Sequence, residues 1–353
     1  MRTFRFLLLA LVPVFAFLGA CSSNDDESSS KTSDAATGDL AGETIVLYSG
    51  RDEKLVQPII DAFTEDTGIK VDVRYGDSAE MGAQLLEEGD ATPAHVFYSQ
   101  EVGSVGVLAN AGLMAPLPDE IIERVDERFR PGEGKEWVGV TGRSRVIVYN
   151  PDKLEELGLD LPAGVMDLTD KQYAGQVAFI PGNAGFQAFI TGFRVQDGDD
   201  AARQWLEAMQ ANDVVTTIES SGDLLEAVNN GDVAIGLINH YYWARHENRD
   251  KLVAKLIFPA GDDPGALVNA TAVGITKKAA DNAAALAFVE YLLSEKGQNT
   301  FVAKTWEYPL VGGIADPEGV PPLESLEGPA LDLTDLESLE ATQAMLTQLG
   351  LLS

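Results

Sequence analysis

One cysteine in 353 residues excludes an internal disulfide framework, a four-cysteine zinc site and an iron–sulfur cluster. Only three histidines occur, His95, His240 and His246, and no two have the spacing of a histidine-based zinc site. Positive charge is also scarce: 25 Lys and Arg stand against 56 Asp and Glu, for a formal net charge of −31. Such a chain repels nucleic acid and anionic lipid, and nucleic-acid binding is excluded. The acidity itself reads as solubility or adaptation to salt. Carboxylates this common lose diagnostic value, so an unrecognised hydrolase stays open. No Gly-x-Ser-x-Gly elbow, phosphate-cradling loop or haem-attachment pair is present.

What is there begins with Tyr241 and Tyr242, adjacent phenols just past the apolar run from Val233 to Ile238. A phenol normally keeps its proton to about pH 10, so two phenolates at neutral pH need a strong cationic partner, and a hard trivalent ion such as iron(III) suits them. Successive side chains of a strand face opposite ways, so both rings can reach one ion only where the backbone turns. The polar step Asn239-His240 predicts that turn. The alternative is that Tyr241-Tyr242-Trp243 is an aromatic cluster packing an interface.

Arg2 and Arg5 precede an apolar run from Phe6 to Phe17, and Leu18-Gly19-Ala20 precedes Cys21. The run is shorter than the about 20 residues a spanning helix needs, so residues 1–20 read as a secretory signal. Leu-Gly-Ala-Cys resembles a bacterial lipobox, which implies cleavage before Cys21 and acylation of its thiol. An ordinary signal peptide that happens to end beside a cysteine is the alternative. Residues 21–43 read as a flexible acidic tether. The expected location is extracytoplasmic, anchored to the cell membrane through lipidated Cys21, in a protein expected to be monomeric. Loss of the signal removes two arginines and no acid, leaving the mature chain two charges more negative than −31.

The body alternates strand and helix: Thr44 to Tyr48, Leu55 to Thr64, Ile69 to Tyr75, Ala79 to Glu88, then a strand around Val96-Phe97-Tyr98. That order predicts an α/β fold with parallel sheet and flanking helices. A later alanine-rich stretch, Asp281 to Lys296, reads as one helix with an apolar stripe.

Several stretches in this order resemble the ferric-ion-binding proteins that feed iron ABC transporters, members of the two-lobed solute-binding proteins. They include Val46-Leu47-Tyr48-Ser49-Gly50-Arg51, Gly142-Arg143-Ser144-Arg145-Val146, Asn239-His240-Tyr241-Tyr242-Trp243 and Glu307-Tyr308-Pro309-Leu310. The resemblance implies a two-lobed periplasmic-binding-protein fold of type II, each lobe a sheet flanked by helices, with crossover hinge strands. The lobes are expected at 44–144 with 270–314, and at 145–269 with 315–353. It further implies a receptor rather than an enzyme, Fe(III) as cargo, an ABC transporter permease as partner, and Tyr241 and Tyr242 as metal ligands.

Asp52 stands where many relatives have histidine; it is a candidate ligand, or else a solvated residue or helix cap. Gln100 stands where relatives have glutamate, and Glu101 can substitute only if the loop rotates. Asn183, Ala184, Gly185, Ser221 and Asn239 match the anion pocket, with Arg143 as a charged clamp for carbonate, phosphate or citrate. For one of Arg143 and Arg145, an ion pair with a carboxylate is expected instead. His240 is expected near the site or on the surface. Related proteins hold polyamines, thiamine or phosphonates, so an organic cargo also remains open.

Overall fold

The computed structural model describes residues 40–329 and 331–352. The signal segment, Cys21 and most of the tether lie outside the described residues. Residues 40–43 do not behave as tether: Leu40 packs against the first lobe's core, and Gly42 N donates to Gly68 O at 2.9 Å. An apolar side chain beside an uncovered core is enough to recruit this short segment.

β1 (Thr44–Ser49) lies between parallel neighbours β2 (Lys70–Tyr75) and β3 (Val96–Ser99). Helix Glu53–Thr67 covers them with a stripe of Leu55, Val56, Ile59, Ile60 and Phe63, and ends at Gly68, whose φ of 72° suits glycine. β4 (Val138–Tyr149) is the longest strand and spans both lobes. Up to Ser144 it pairs with β8 (Val268–Ile275) and the short β9 (Tyr308–Pro309); from Arg145 it pairs with β6 (Ile235–Asn239) and β7 (Lys255–Ile257). β5 (Val177–Ala178) completes the far edge, parallel to β6.

Separate cores lie on either side of that change of partner. Phe63, Phe97, Trp137 and Phe288 belong to the first, while Phe179, Phe186, Phe189 and Trp205 pack together in the second. The C-terminal segment divides between them, unlike the expectation that 315–353 joins the second lobe whole. Leu333 and Leu336 enter the first core and Met345 and Leu346 the second. Gly103 allows this, since a Cβ there would lie 2.4 Å from the Leu336 carbonyl oxygen.

The expected Asp281–Lys296 helix is two helices, Ala283–Leu292 and Glu295–Thr305. Ser294 breaks it by capping the second, its Oγ accepting from Gly297 N at 3.0 Å. No described helix is long and apolar enough to cross a membrane.

Candidate ion-binding site in the cleft between the lobes

β6 ends at Asn239, and His240–Ala244 forms a single helical turn. This is the change of direction expected at Asn239-His240, and it brings the rings of Tyr241 and Tyr242 together with centroids 4.6 Å apart. Both line a cleft of about 660 Å³. Gly50, Asp52, Tyr75, Asp77 and Gln100 form its first-lobe wall, and Asn183, Ala184, Gly185, Glu219 and Asn239 join the tyrosines on the other.

Tyr241 is buried and Tyr242 half-buried. Asn239 Nδ2 donates to Tyr241 Oη at 3.5 Å, and the Arg245 guanidinium stacks 5.4 Å and 4.8 Å from the two ring centroids. Burial pushes the Tyr242 phenol well above its ordinary value, and the adjacent Tyr241 adds to this, while Arg245 and Ser221 act the other way. The proton therefore stays on Tyr242 near neutrality unless a cation displaces it.

Beside the pair, helix Ala184–Asp197 points its N-terminus at the cleft. Asn183 caps it, Oδ1 accepting from Phe186 N at 3.1 Å. The amides of Ala184 and Gly185 belong to the first turn and have no intrahelical acceptor, the usual basis of an oxyanion site. Gly185 keeps the approach open, because a Cβ there would lie 2.9 Å from Asn239 Nδ2. Ser221 and Arg143 are buried behind the cleft wall, and Arg143 shares a small cavity with Gly185 and Asn239. Ser221 sits against Tyr242, and Arg143 lies deeper, in contact with the Tyr241 field.

On the first-lobe wall, Asp52 occupies the N-cap position of helix Glu53–Thr67, yet its side chain makes no capping hydrogen bond and is exposed. Its carboxylate is thus uncommitted. Gln100 faces the cleft, but its Oε1 accepts from Arg51 Nε at 2.9 Å. Glu101 turns away: it is buried, accepts from Ser104 Oγ at 2.5 Å and caps helix Val102–Asn110, so it does not reach the cleft. The substitution of Glu101 for a cleft carboxylate is therefore corrected; the loop keeps its acid for the helix N-terminus.

Neither Arg143 nor Arg145 forms an ion pair among the described residues. Arg145 donates to Asn239 Oδ1 and Leu237 O, and the buried ion pair belongs instead to Arg51 and Glu307, at 2.7 Å. Arg51 also donates to Tyr98 Oη at 2.7 Å. Local sequence pattern offers no signal for this network, whose central partners are 256 positions apart. Glu219, Asp77 and Tyr75 on the wall were likewise not singled out by sequence.

The histidines are structural. His240 is fully buried, Nδ1 accepting from Ser144 N at 3.2 Å and Nε2 facing Trp306 O at 3.0 Å. Burial lowers it to about 4, so it is neutral near neutrality and is not the surface residue considered above. His95 Nδ1 accepts from Val46 N, and His246 pairs with Glu226. Among the described residues no three His, Cys, Asp or Glu side chains converge as a metal site, which leaves the phenols as the distinctive donors.

Two α/β lobes joined by crossing strands, with a cleft between them lined by polar side chains, are the architecture of the two-lobed binding proteins, which take their ligands in such a cleft. The chain belongs to the bacterial extracellular solute-binding proteins, whose family pattern matches residues 48–299. It is 35% identical to the Fe(3+)-binding periplasmic protein of Serratia marcescens, over 88% of this chain and 92% of the relative. Among solved structures it resembles iron-bound HitA from Pseudomonas aeruginosa, with a TM-score of 0.80 and 32% identity, covering 87% of this chain and 99% of that one. A Trichodesmium protein, IdiA (FutA), in complex with iron and citrate ligands, matches with a TM-score of 0.72 and 26% identity over 87% and 99%.

Proposed function

We propose that this protein captures one ferric ion between its lobes and delivers it to the permease of an ABC importer. Tyr241 and Tyr242 supply phenolates, Asp52 adds a carboxylate from the opposite wall, and an oxyanion such as carbonate, phosphate or citrate sits at the helix N-terminus formed by Asn183, Ala184 and Gly185. The adjacent phenols on one cleft wall carry this reading, because hard oxygen donors that become anionic on binding match a trivalent ion. Iron-binding relatives that align over most of the chain support it. Ligands on both walls favour the closed form, so the ion itself drives hinge closure, and the closed shape is what the permease recognises. The protein works outside the cytoplasm as a monomer, held at the membrane by acylated Cys21.

Titration with a ferric chelate, followed in the visible region, tests the cargo. A tyrosinate-to-iron charge-transfer band saturating at one ion per chain is expected. An organic solute in the cleft gives no such band, and its absence at full occupancy refutes ferric capture. Cys21→Ser tests the anchor: it moves the protein from the membrane to the soluble extracytoplasmic fraction, and retention at the membrane rules out the lipid.

A further inference from the structure

Seven buried side-chain nitrogen or oxygen atoms lack a hydrogen-bond partner among the described residues, and four belong to three neighbouring side chains: Arg143 Nη1 and Nη2, Arg145 Nε and Asn269 Nδ2. All four are donors. Arg143, Arg145 and Asn269 line a small cavity of about 10 Å³ together with Gly185, Ala188, Phe189, Asn239 and Leu267. Each of the three is at least 95% buried, and among the described residues no carboxylate lies within ion-pair distance of either arginine. Glu307 and Glu101 act on Arg143 only from beyond ion-pair distance, so two buried guanidiniums face one void with donors that no anion contacts, an arrangement native proteins avoid because incompletely compensated buried charge is costly.

We propose that this cavity is a halide site: a single chloride-sized monovalent anion held by Arg143, Arg145 and Asn269, behind the cleft wall and separate from the oxyanion position at the helix N-terminus. Size decides the ligand class. The volume matches about one water molecule, so carbonate, phosphate and citrate do not fit, whereas a monatomic anion needs only small side-chain adjustments. Charge decides between halide and water, since water brings two protons of its own to a pocket whose unsatisfied groups are all donors. The site is independent of the cargo in the cleft; Gly185 and Asn239 border both spaces, and only the cavity touches Arg143 and Asn269.

The test uses the metal-free protein. Crystals soaked in bromide are expected to show an anomalous peak between Arg143 and Asn269, and thermal unfolding in sodium chloride is expected to occur a few degrees above that in sodium gluconate at equal ionic strength. Asn269→Asp retains the Oδ1 that accepts from Ala270 N at 2.7 Å and places a built-in carboxylate against the guanidiniums. That variant is expected to lose the chloride-over-gluconate difference and the bromide peak. Asn183→Ala, which alters the cleft oxyanion position, leaves both intact. A water without anomalous signal at that position, or equal melting temperatures of the wild type in the two salts, overturns the proposal.

Discussion

The two walls of the cleft are built on different terms. The second-lobe wall presents finished donors: paired phenols on one helical turn, Asn239 against Tyr241, and a capped helix whose first amides face inward. The first-lobe wall presents little that is free. Gln100 is engaged by Arg51, Glu101 by Ser104, and Arg51 by Glu307 and Tyr98, which leaves Asp52 and Glu53 as exposed carboxylates with no side-chain partner among the described residues. On the proposed reading the tyrosine wall is the one that grips, and the facing wall is a braced surface to which Asp52 adds a carboxylate. An ion would accordingly dock on the tyrosine wall and recruit Asp52 as the lobes close.

Removing the gripping side has the largest effect. Replacing both Tyr241 and Tyr242 by Phe should weaken ferric binding by about 10⁴-fold, ~5.6 kcal/mol at 1.4 kcal/mol per decade, and abolish the visible band while the circular dichroism stays native. If the double variant keeps its colour, the asymmetry between the walls is wrong.

Next comes the rigid backing of the first wall. Glu307→Gln leaves Arg51 buried beside a neutral partner and should destabilise the metal-free fold by about 3–5 kcal/mol in urea unfolding. An unchanged unfolding midpoint would show that the network does not support that wall.

His240 ties the tyrosine turn to Ser144 of β4 and to Trp306. Its value of about 4 in the folded state lies below the ordinary 6.5, so the unfolded chain binds the proton more readily between those values. Stability from this group is therefore complete above pH 6.5 and falls as pH drops toward 4, by about 3 kcal/mol in all. Melting curves of the metal-free protein against pH should be shallower over that window in His240→Gln, and identical slopes would contradict a buried neutral imidazole.

The smallest effect belongs to Asp52→Ala. It should weaken iron binding about tenfold and leave stability unchanged, since the side chain caps nothing. An unaltered binding constant removes Asp52 from the site and turns attention to Glu53 beside it on the same wall.

Much of this was legible in the sequence because it is local. Alternating short strands and amphipathic helices announced the α/β lobes, and an apolar strand followed by Asn239-His240 announced the turn that pairs the phenols. Asn183 was singled out only through the resemblance to the family's anion pocket, and its role as a helix cap came from the structure. What was not legible is direction. Glu101 and Asp52 are both acids at the start of a helix, and only packing decided that the first folds inward onto Ser104 while the second stays in the cleft. The Arg51–Glu307 pair escaped for another reason: its members meet through the fold, with no periodicity linking them.

By itself the chain determined its strands, its helix caps and the adjacency of two phenols, since each depends on residues a few positions apart. Only the tertiary structure decided which carboxylates are free, which arginine is paired and which two are left around an anion-sized void. Those outcomes depend on which distant segments exclude water from one another, and burial is a property of the assembled lobes rather than of any stretch within them.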